Sequence, residues 1–166
     1  MSDPVRDDRS VVDHAALSAQ DVYTQMLRTE VAPQLRAMGF NGSGARYVLP
    51  DDHRWLLVAF QKHYYSRADC VEFTVNLTVA DKVTWENARQ DQVWLPVRPS
   101  GNSHYLASST VIRLGNLMPP RGNDRWWEVG PWRPSKPAAN RVLKAIEGLG
   151  IPWLRFGTTR WPIIGN

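Results

Sequence analysis

A strict alternation of apolar and polar side chains over residues 70–80 constrains the fold more than any other feature of the sequence. Successive side chains of a β-strand point to opposite faces, so this pattern predicts a strand with one face in a hydrophobic core and a polar face left exposed. The apolar positions are Val71, Phe73, Val75, Leu77 and Val79, and the polar positions between them are Glu72, Thr74, Asn76 and Thr78.

Further strands are predicted on both sides of this one. Residues 46–49 favour a short strand, which turns at residues 50–52 into a longer strand over residues 54–62. The longer strand is apolar on both faces, which is typical of a central strand. Two more strands are predicted over residues 110–115 and 125–129.

Two amphipathic helices flank the strands. The first begins at Ser18, whose hydroxyl can cap the first turn, and it ends at Gly39 with a kink expected near Pro33. The second begins with Ser135 as its cap and is expected to stop at the glycines of residues 148–150. The sequence therefore predicts an α+β fold: an antiparallel sheet of about five strands, with an N-terminal and a C-terminal helix packed on one face.

The chain is expected to hold a single domain over residues 15–156, because 166 residues suit one core. Residues 1–14 are predicted to be a flexible leader, and residues 157–166 a docked C-terminal tail. The leader is acidic and no apolar run approaches the ~20 residues that span a bilayer, so a cytoplasmic protein with no membrane contact is expected. The single cysteine, Cys70, excludes an intramolecular disulfide and a multi-cysteine zinc site.

Charge is unevenly distributed along the chain. Residues 97–166 carry ten basic and three acidic side chains, within a net charge of only +4 for the whole chain. This basic part could favour an anionic ligand, an acidic partner protein or nucleic acid, or it could be ordinary solvated surface. Single-stranded nucleic acid suits basic residues interleaved with Trp and Tyr, but the modest net charge argues against a dedicated nucleic-acid binder.

Three polar side chains are predicted to meet on the exposed face of the sheet. Asn76, Arg113 and Lys62 lie on or at the end of neighbouring predicted strands, where they could form a concave site for a carboxylate or phosphate. The alternative is that Arg113 simply pairs with Glu72 or Asp124 across the sheet. Asp124 is therefore a further candidate site residue.

Tryptophan is unusually frequent, with eight in the chain. Trp126 and Trp127 are adjacent on a predicted strand, so they point to opposite faces and one of them can leave the core. An indole supplies rigid apolar area and one hydrogen-bond donor, which suits a flat ligand or a protein hot spot. The alternative is that most of these residues fill the core.

Metal and nucleophilic chemistry find no support in the sequence. The four histidines show no spacing that would bring two imidazoles together, and no nucleophile motif is present, so we expect neither a metal nor a cofactor. An acid–base enzyme that uses His63 or His104 with Asp124 or Glu72 is left open.

Six segments of the chain are notable in combination: Met38-Gly39-Phe40, Phe60-Gln61-Lys62, Phe73-Thr74-Val75-Asn76-Leu77, Ile112-Arg113-Leu114-Gly115, Asp124-Arg125-Trp126-Trp127 and Gly150-Ile151-Pro152-Trp153-Leu154. Together they resemble the bacterial domain-of-unknown-function family 4304, over about residues 20–156. The resemblance implies an α+β domain in a bacterium and brings no established activity. In this chain His63 stands where a small residue often follows the lysine.

Two functions follow as hypotheses. The first is a non-catalytic module that binds a partner protein, with an accessory or immunity-like role, on the exposed sheet face and the tryptophan-bearing loops. The second is an enzyme or binder that holds an anionic small molecule between the sheet and residues 81–109, through Arg113 and Lys62. A flat exposed aromatic patch would favour the first, and an enclosed pocket with Arg113 pointing inward would favour the second.

Overall fold

The computed structural model describes residues 17–105 and 108–157. The leader predicted over residues 1–14 lies outside these residues, as does the predicted tail beyond Gly157. The strands of the described part are β1 (Asn41–Ser43), β2 (Arg46–Leu49), β3 (Arg54–Lys62), β4 (Val71–Asp81), β5 (Thr110–Arg113) and β6 (Trp127–Val129). Its α-helices are α1 (Ala19–Met26), α2 (Ala32–Ala37), α3 (Lys82–Asp91), α4 (Leu114–Leu117), α5 (Ser135–Ala145) and α6 (Ile151–Phe156).

The strands form one antiparallel sheet whose order follows the chain from β1 to β5, with β6 also paired to β4. β3 and β4 are its centre, and they pair from Arg54 opposite Asp81 to Lys62 opposite Phe73. The predicted bounds of β2 and β3 are confirmed. Asp51 shapes the turn between them, because its carboxylate accepts hydrogen bonds from the backbone N–H groups of His53 at 3.0 Å and Arg54 at 2.8 Å.

Two short strands share the outer edge of β4. β5 pairs with residues 76–79 of β4, and β6 pairs with residues 71–73. Both run antiparallel to β4, so they lie end to end, and residues 114–126 leave the sheet between them. We call residues 114–126 the edge excursion. Its two ends lie close together, because a Cβ atom on Gly115 would be only 2.6 Å from the backbone nitrogen of Arg125.

The larger hydrophobic core lies between one face of the sheet and helices α1, α2, α5 and α6. At its centre the ring of Phe73 lies 5.3 Å from that of Tyr23 and 6.2 Å from that of Phe60, and all three residues are at most 5% exposed. Burial of each such side chain contributes about 1.5–3 kcal/mol. The predicted α+β class and the placement of the terminal helices on one face are confirmed.

The second face of the sheet is partly covered, and the polar side of β4 is buried rather than exposed as the alternation predicts. Thr74 and Thr78 are 0% exposed and Asn76 is 5% exposed. Most of the cover consists of α3 and the loop that follows it, which pack on the sheet through a smaller core around Trp85. At Thr74 the edge excursion adds to it, because the Thr74 hydroxyl donates to the Arg125 carbonyl at 3.1 Å. Hydrogen bonds compensate for this burial of polar groups; for example, the Thr78 hydroxyl donates to the Gly101 carbonyl at 3.3 Å.

The N-terminal helical segment contains a π-helical turn near the predicted kink. Leu27–Val31 forms this turn between α1 and α2, and the Ala32 N–H donates to the Leu27 carbonyl five residues earlier. Pro33 follows directly and has no N–H to donate, so the wider turn lets the helix pass the proline without a break. At the other end, the predicted cap at Ser18 is confirmed, with reciprocal bonds to Asp21.

The C-terminal helical segment corrects two predictions. Ile146–Gly150 forms a second π-helical turn that joins α5 to α6, so its two glycines do not stop the helix. The helix ends instead at Gly157, whose φ of 75° is left-handed. Ser135 is the first residue of α5 rather than its cap, and its hydroxyl donates to a carboxylate oxygen of Glu30 on the N-terminal segment at 2.6 Å.

Three smaller differences complete the fold. β1 is a strand in addition to the five predicted ones, and Gly42 opposite Tyr47 adopts a φ of 142° there. α3 adds a ten-residue helix to the two that were predicted. β5 and β6 are shorter than predicted. Among residues 17–105 and 108–157, no helix is long and apolar enough to cross a membrane.

Candidate functional site

Arg113, Asp124 and Trp126 form one contact group on the second face of the sheet. Asp124 forms an ion pair with Arg113 and accepts a hydrogen bond from Trp126 Nε1 at 3.1 Å. The guanidinium of Arg113 lies 5.1 Å from the centre of the Trp126 ring, as in a cation–π contact. β5 places Arg113 opposite Asn76 of β4, so four of the predicted site residues lie together. The Asp124 carboxylate already balances the charge of Arg113.

A polar cleft of about 550 Å³ opens beside this group. At its base the Asn76 carboxamide donates hydrogen bonds to Gln61 Oε1 at 2.7 Å and to Asn102 Oδ1 at 3.0 Å. Arg113, His104, Asn116 and Asp124 also line the cleft. Carboxamides offer both donors and acceptors, so this lining suits a small polar molecule that can use both.

Four rings next to the cleft form what we call the aromatic ridge: the exposed Tyr64 and Tyr65 and the half-buried His63 and Trp126. The ring centres lie 4.8 Å apart for His63 and Trp126, 5.6 Å for His63 and Tyr65, and 5.1 Å for the two tyrosines. Tyr64 is 91% exposed and Tyr65 is 77% exposed. Two neighbouring tyrosines with so little cover are unusual on a surface that meets only water.

Hydrogen bonds hold the turn that carries the ridge. The Tyr65 N–H donates to His63 Nδ1 at 3.2 Å, and the Ser66 N–H donates to the His63 carbonyl at 3.1 Å. The Ser66 hydroxyl also donates to the carbonyl of Glu72 on β4 and accepts a hydrogen bond from the Glu72 N–H, each at 3.3 Å. The ridge is therefore displayed on an ordered turn rather than on a loose loop.

Comparison with known families gives one match. A family model described as a domain of unknown function, DUF4304, matches residues 31–155, which is well over half of the chain. The chain belongs to the DUF4304 family. No curated protein and no solved structure matches it.

Two predicted site residues of this DUF4304 chain lie apart from the cleft. Lys62 continues the face of Phe60 toward the helices, where its Nζ donates to Gln20 Oε1 on α1 at 2.7 Å. Trp127 is 8% exposed and stacks on Phe73 in the larger core, with ring centres 5.9 Å apart. The structure thus places four of the six predicted residues together and separates the other two from them.

Groups that could move protons lie near one another at two places in the structure. His63 Nδ1 lies 3.9 Å from Glu72 Oε2, and His104 shares the polar cleft with Asp124. Within residues 17–105 and 108–157, no group of three or more His, Cys, Asp or Glu side chains could hold a metal ion.

The strongest carboxylate pKa shift in the DUF4304 domain lies at the β2–β3 turn. A hydrogen bond from the Arg54 side chain, 2.9 Å long, lowers the pKa of Asp51 from 3.8 to about 2, with backbone N–H groups adding to the effect. In the larger core, burial raises the pKa of the Tyr47 hydroxyl. Both pKa shifts are consequences of the fold: the first comes from the hydrogen bonds of the turn, and the second comes from burial in the core.

Sequence reasoning missed several residues of this region. Gln61 lies in the segment Phe60-Gln61-Lys62 but was not singled out as a site residue, and Asn102 lies in none of the motifs. The two ridge tyrosines lie in a connection that no strand or helix pattern marks. The adjacency of His63, Tyr64 and Tyr65 between two strands was the available signal, because three rings in a short hairpin connection cannot all be buried.

Proposed function

We propose that this DUF4304 domain is a non-catalytic binding module that holds a partner protein on its aromatic ridge. The carrying observation is the pair Tyr64 and Tyr65, 91% and 77% exposed, in contact through His63 with Trp126. An accessory or immunity-like role in a bacterial cytoplasm is part of the proposal, by analogy with other small single-domain proteins.

The chemistry of the ridge supports this proposal. Tyr, Trp and Arg are the residues most enriched in binding hot spots, and here Arg113 lies against Trp126 at the end of the ridge. Tyrosine also has few rotatable bonds, so its contacts cost little conformational entropy on binding. The hydrogen-bonded turn reduces that cost further, because the backbone is ordered before the partner arrives.

A site-specific photo-crosslinker tests the proposal in the cells that produce the protein. p-Benzoylphenylalanine replaces Tyr64 in one variant and Trp132 in the matched control. Trp132 is 88% exposed and lines a different cleft, beside Val22 and Gln25 of α1. We expect one protein to be cross-linked from position 64 and not from position 132. Cross-links from both positions alike, or from neither, would contradict the proposal.

Affinity for the cross-linked protein, once purified, gives the second readout. We expect Tyr64→Ala combined with Tyr65→Ala to weaken binding by about tenfold or more, since loss of a hot-spot side chain costs ~2 kcal/mol. Trp132→Ala should leave the affinity unchanged. The tyrosine variant should keep its folding stability within about 0.5 kcal/mol, because both side chains are exposed. Equal affinities for the two variants would reject the ridge as the interface.

A small anionic molecule in the polar cleft is the second candidate function. The observation in its favour is that Arg113, His104 and the buried Asn76 line one cleft of about 550 Å³. The ion pair with Asp124 weakens it, because an anion must compete with that carboxylate. A thermal-shift screen against anionic metabolites should give a stabilisation that Arg113→Ala abolishes; a shift that survives in the variant would exclude this site.

A further inference from the structure

A second cleft lies on the same face of the sheet, over β1, β2 and the first half of β3. Residues 96–101 form its outer wall, and its volume is about 740 Å³. We call it the edge groove. Its floor is aliphatic, with Val48 from β2 and Leu57 and Ala59 from β3, and Trp55 stands at one end. Apolar clefts of several hundred cubic ångströms with few polar groups are typical of small-molecule sites.

The wall of the edge groove is held in place by several contacts. A Cβ atom on Gly101 would lie only 2.6 Å from the Cβ of Ala59, so the loop rests directly on β3. Trp85 Nε1 donates to the Pro96 carbonyl at 3.2 Å, which ties the start of the wall to α3. The Ser100 N–H donates to the Tyr105 hydroxyl at 3.0 Å. The groove is therefore formed before any ligand binds.

Positive charge surrounds this apolar floor. Among the residues that the structure describes, Arg46 and Arg98 line the groove and no acidic residue does. Arg98 lies 5.6 Å and Lys82 Nζ lies 4.9 Å from the centre of the Trp55 ring. Within the described ranges 17–105 and 108–157, neither Arg46 nor Arg98 has a carboxylate partner. This differs from Arg113, whose charge Asp124 balances.

We propose that the edge groove binds an acyl-chain anion, a small molecule with an aliphatic chain and a carboxylate or phosphate headgroup. The chain lies on the floor formed by Val48, Leu57 and Ala59, where it leaves water. The headgroup meets one of the two arginines that line the groove, Arg46 beside Ala59 or Arg98 beside Trp55, because a planar guanidinium can donate two parallel hydrogen bonds to such oxygens. This site is separate from the aromatic ridge, so it goes beyond the proposed partner binding.

Calorimetric titration of the full chain with four ten-carbon probes below their micellar concentrations tests this inference. Decanoate and decyl phosphate carry the two anionic headgroups, decanol carries none, and decylammonium carries the opposite charge. We expect one or both anions to bind at least about tenfold more tightly than decanol and decylammonium, because a hydrogen bond to a charged group contributes ~1.5–3 kcal/mol. The better anion identifies the headgroup. Equal binding of all four probes would overturn the proposal, as would equally tight binding of acetate.

Three variants locate the site. Arg46→Gln or Arg98→Gln, whichever removes the arginine that holds the headgroup, should weaken binding of the preferred anion by about tenfold, whereas Arg28→Gln, at an exposed arginine on the helical face, should not. Unchanged binding in both groove variants would overturn the proposal. Tyr64→Ala with Tyr65→Ala should bind the anion like the wild type, so failure of the groove and failure of the ridge remain distinguishable.

Discussion

Arg113 makes its two side-chain contacts with residues of the edge excursion, Asp124 and Trp126. It is the last residue of β5, so these contacts hold the excursion at the place where it leaves the sheet. The same side chain lines the polar cleft. The free energy of unfolding reports whether Arg113 holds the excursion, independently of any ligand that it binds.

A double-mutant cycle measures the ion pair itself. The side chains of Arg113 and Asp124 are 38% and 37% exposed, so water screens their attraction. We expect a coupling free energy below about 1 kcal/mol from urea unfolding of Arg113→Ala, Asp124→Ala and the double variant. All three proteins should remain folded. A coupling above about 2 kcal/mol would show that this pair behaves as a buried one.

Asp51 predicts a pH dependence with a definite sign. Its folded pKa of about 2 lies below the ordinary value of 3.8, so its contribution to stability is present above pH 3.8 and is lost as the pH falls toward 2. The melting temperatures of wild type and Asp51→Asn should therefore differ by a constant amount near neutral pH and converge between pH 3.8 and about 2.

Asp52→Asn is the matched control, because it removes one negative charge from the same turn. At neutral pH the melting temperature of Asp52→Asn should lie closer to the wild-type value than the melting temperature of Asp51→Asn does. The reason is that Asp51, not Asp52, accepts the hydrogen bonds from His53 and Arg54. A difference for Asp51→Asn that persists unchanged down to about pH 2 would reject the assigned cause.

Among the helices, the sequence-based prediction was weakest at the π-helical turns. Glycine near a helix end usually marks its stop, yet Gly148 and Gly150 lie inside a continuous segment. The cost of glycine in a helix is about 1 kcal/mol each, and burial of Ile146, Trp153 and Leu154 outweighs it. Local propensity could not show this, because the burial depends on distant strands.

Gly148 is a site where one substitution should stabilise the protein. A Cβ atom there would meet no atom within 4 Å, and Gly148 is not among the glycines with positive φ. We expect Gly148→Ala to raise the free energy of unfolding by about 0.4–1 kcal/mol, measured by urea denaturation, because alanine restricts the unfolded chain. Gly157→Ala, at a φ of 75°, is the contrasting variant and should destabilise. A loss of stability in Gly148→Ala would contradict this account.

β2 and β3 were predictable because alternation, a turn rich in Pro and Asp, and a long apolar run agree with one another. The burial of Thr74, Asn76 and Thr78 was not predictable, since a strand face of small polar residues has the same sequence pattern whether water or a loop covers it. β1 gave no signal at all, because Asn41–Ser43 has the composition of a turn.

For the candidate site, strand order predicted that Asn76 and Arg113 meet, Asp124 was a predicted partner of Arg113, and side-chain alternation indicated that Trp126 or Trp127 leaves the core. Lys62 was assigned to the wrong face although the signal was present, since it continues the alternation of Val58 and Phe60. The edge groove was out of reach, because it depends on where residues 96–101 fold back on β3.

Over the whole molecule, the two faces of the sheet are covered very unequally. The helical face carries the larger core, whereas α3 and the following loop rest on a core of Ala80, Trp85 and Leu95. The polar cleft and the edge groove lie on the lightly covered face. Binding sites are commonly drawn from such less stable regions.

Hydrogen exchange should show this difference directly. We expect the backbone amides of α3 to exchange faster than those of α5, a helix of similar length packed on the larger core, because α3 can open without disrupting that core. Mass spectrometry of peptides from the two helices measures it, with β3 and β4 as the slowest reference. Equal protection of α3 and α5 would mean that both faces unfold as one unit.

The arrangement of β5 and β6 has a consequence for how this chain can vary. If β5 continued straight into β6, two residues would be enough to pair with Thr74 and Val75. Residues 114–126 stand in place of those two residues. In geometric terms this is one edge strand that an insertion interrupts. The insertion can therefore change in length without shifting the register of the sheet, and because Asn116, Asp124 and Trp126 lie on it, such a change would alter the polar cleft and the aromatic ridge while leaving the fold intact.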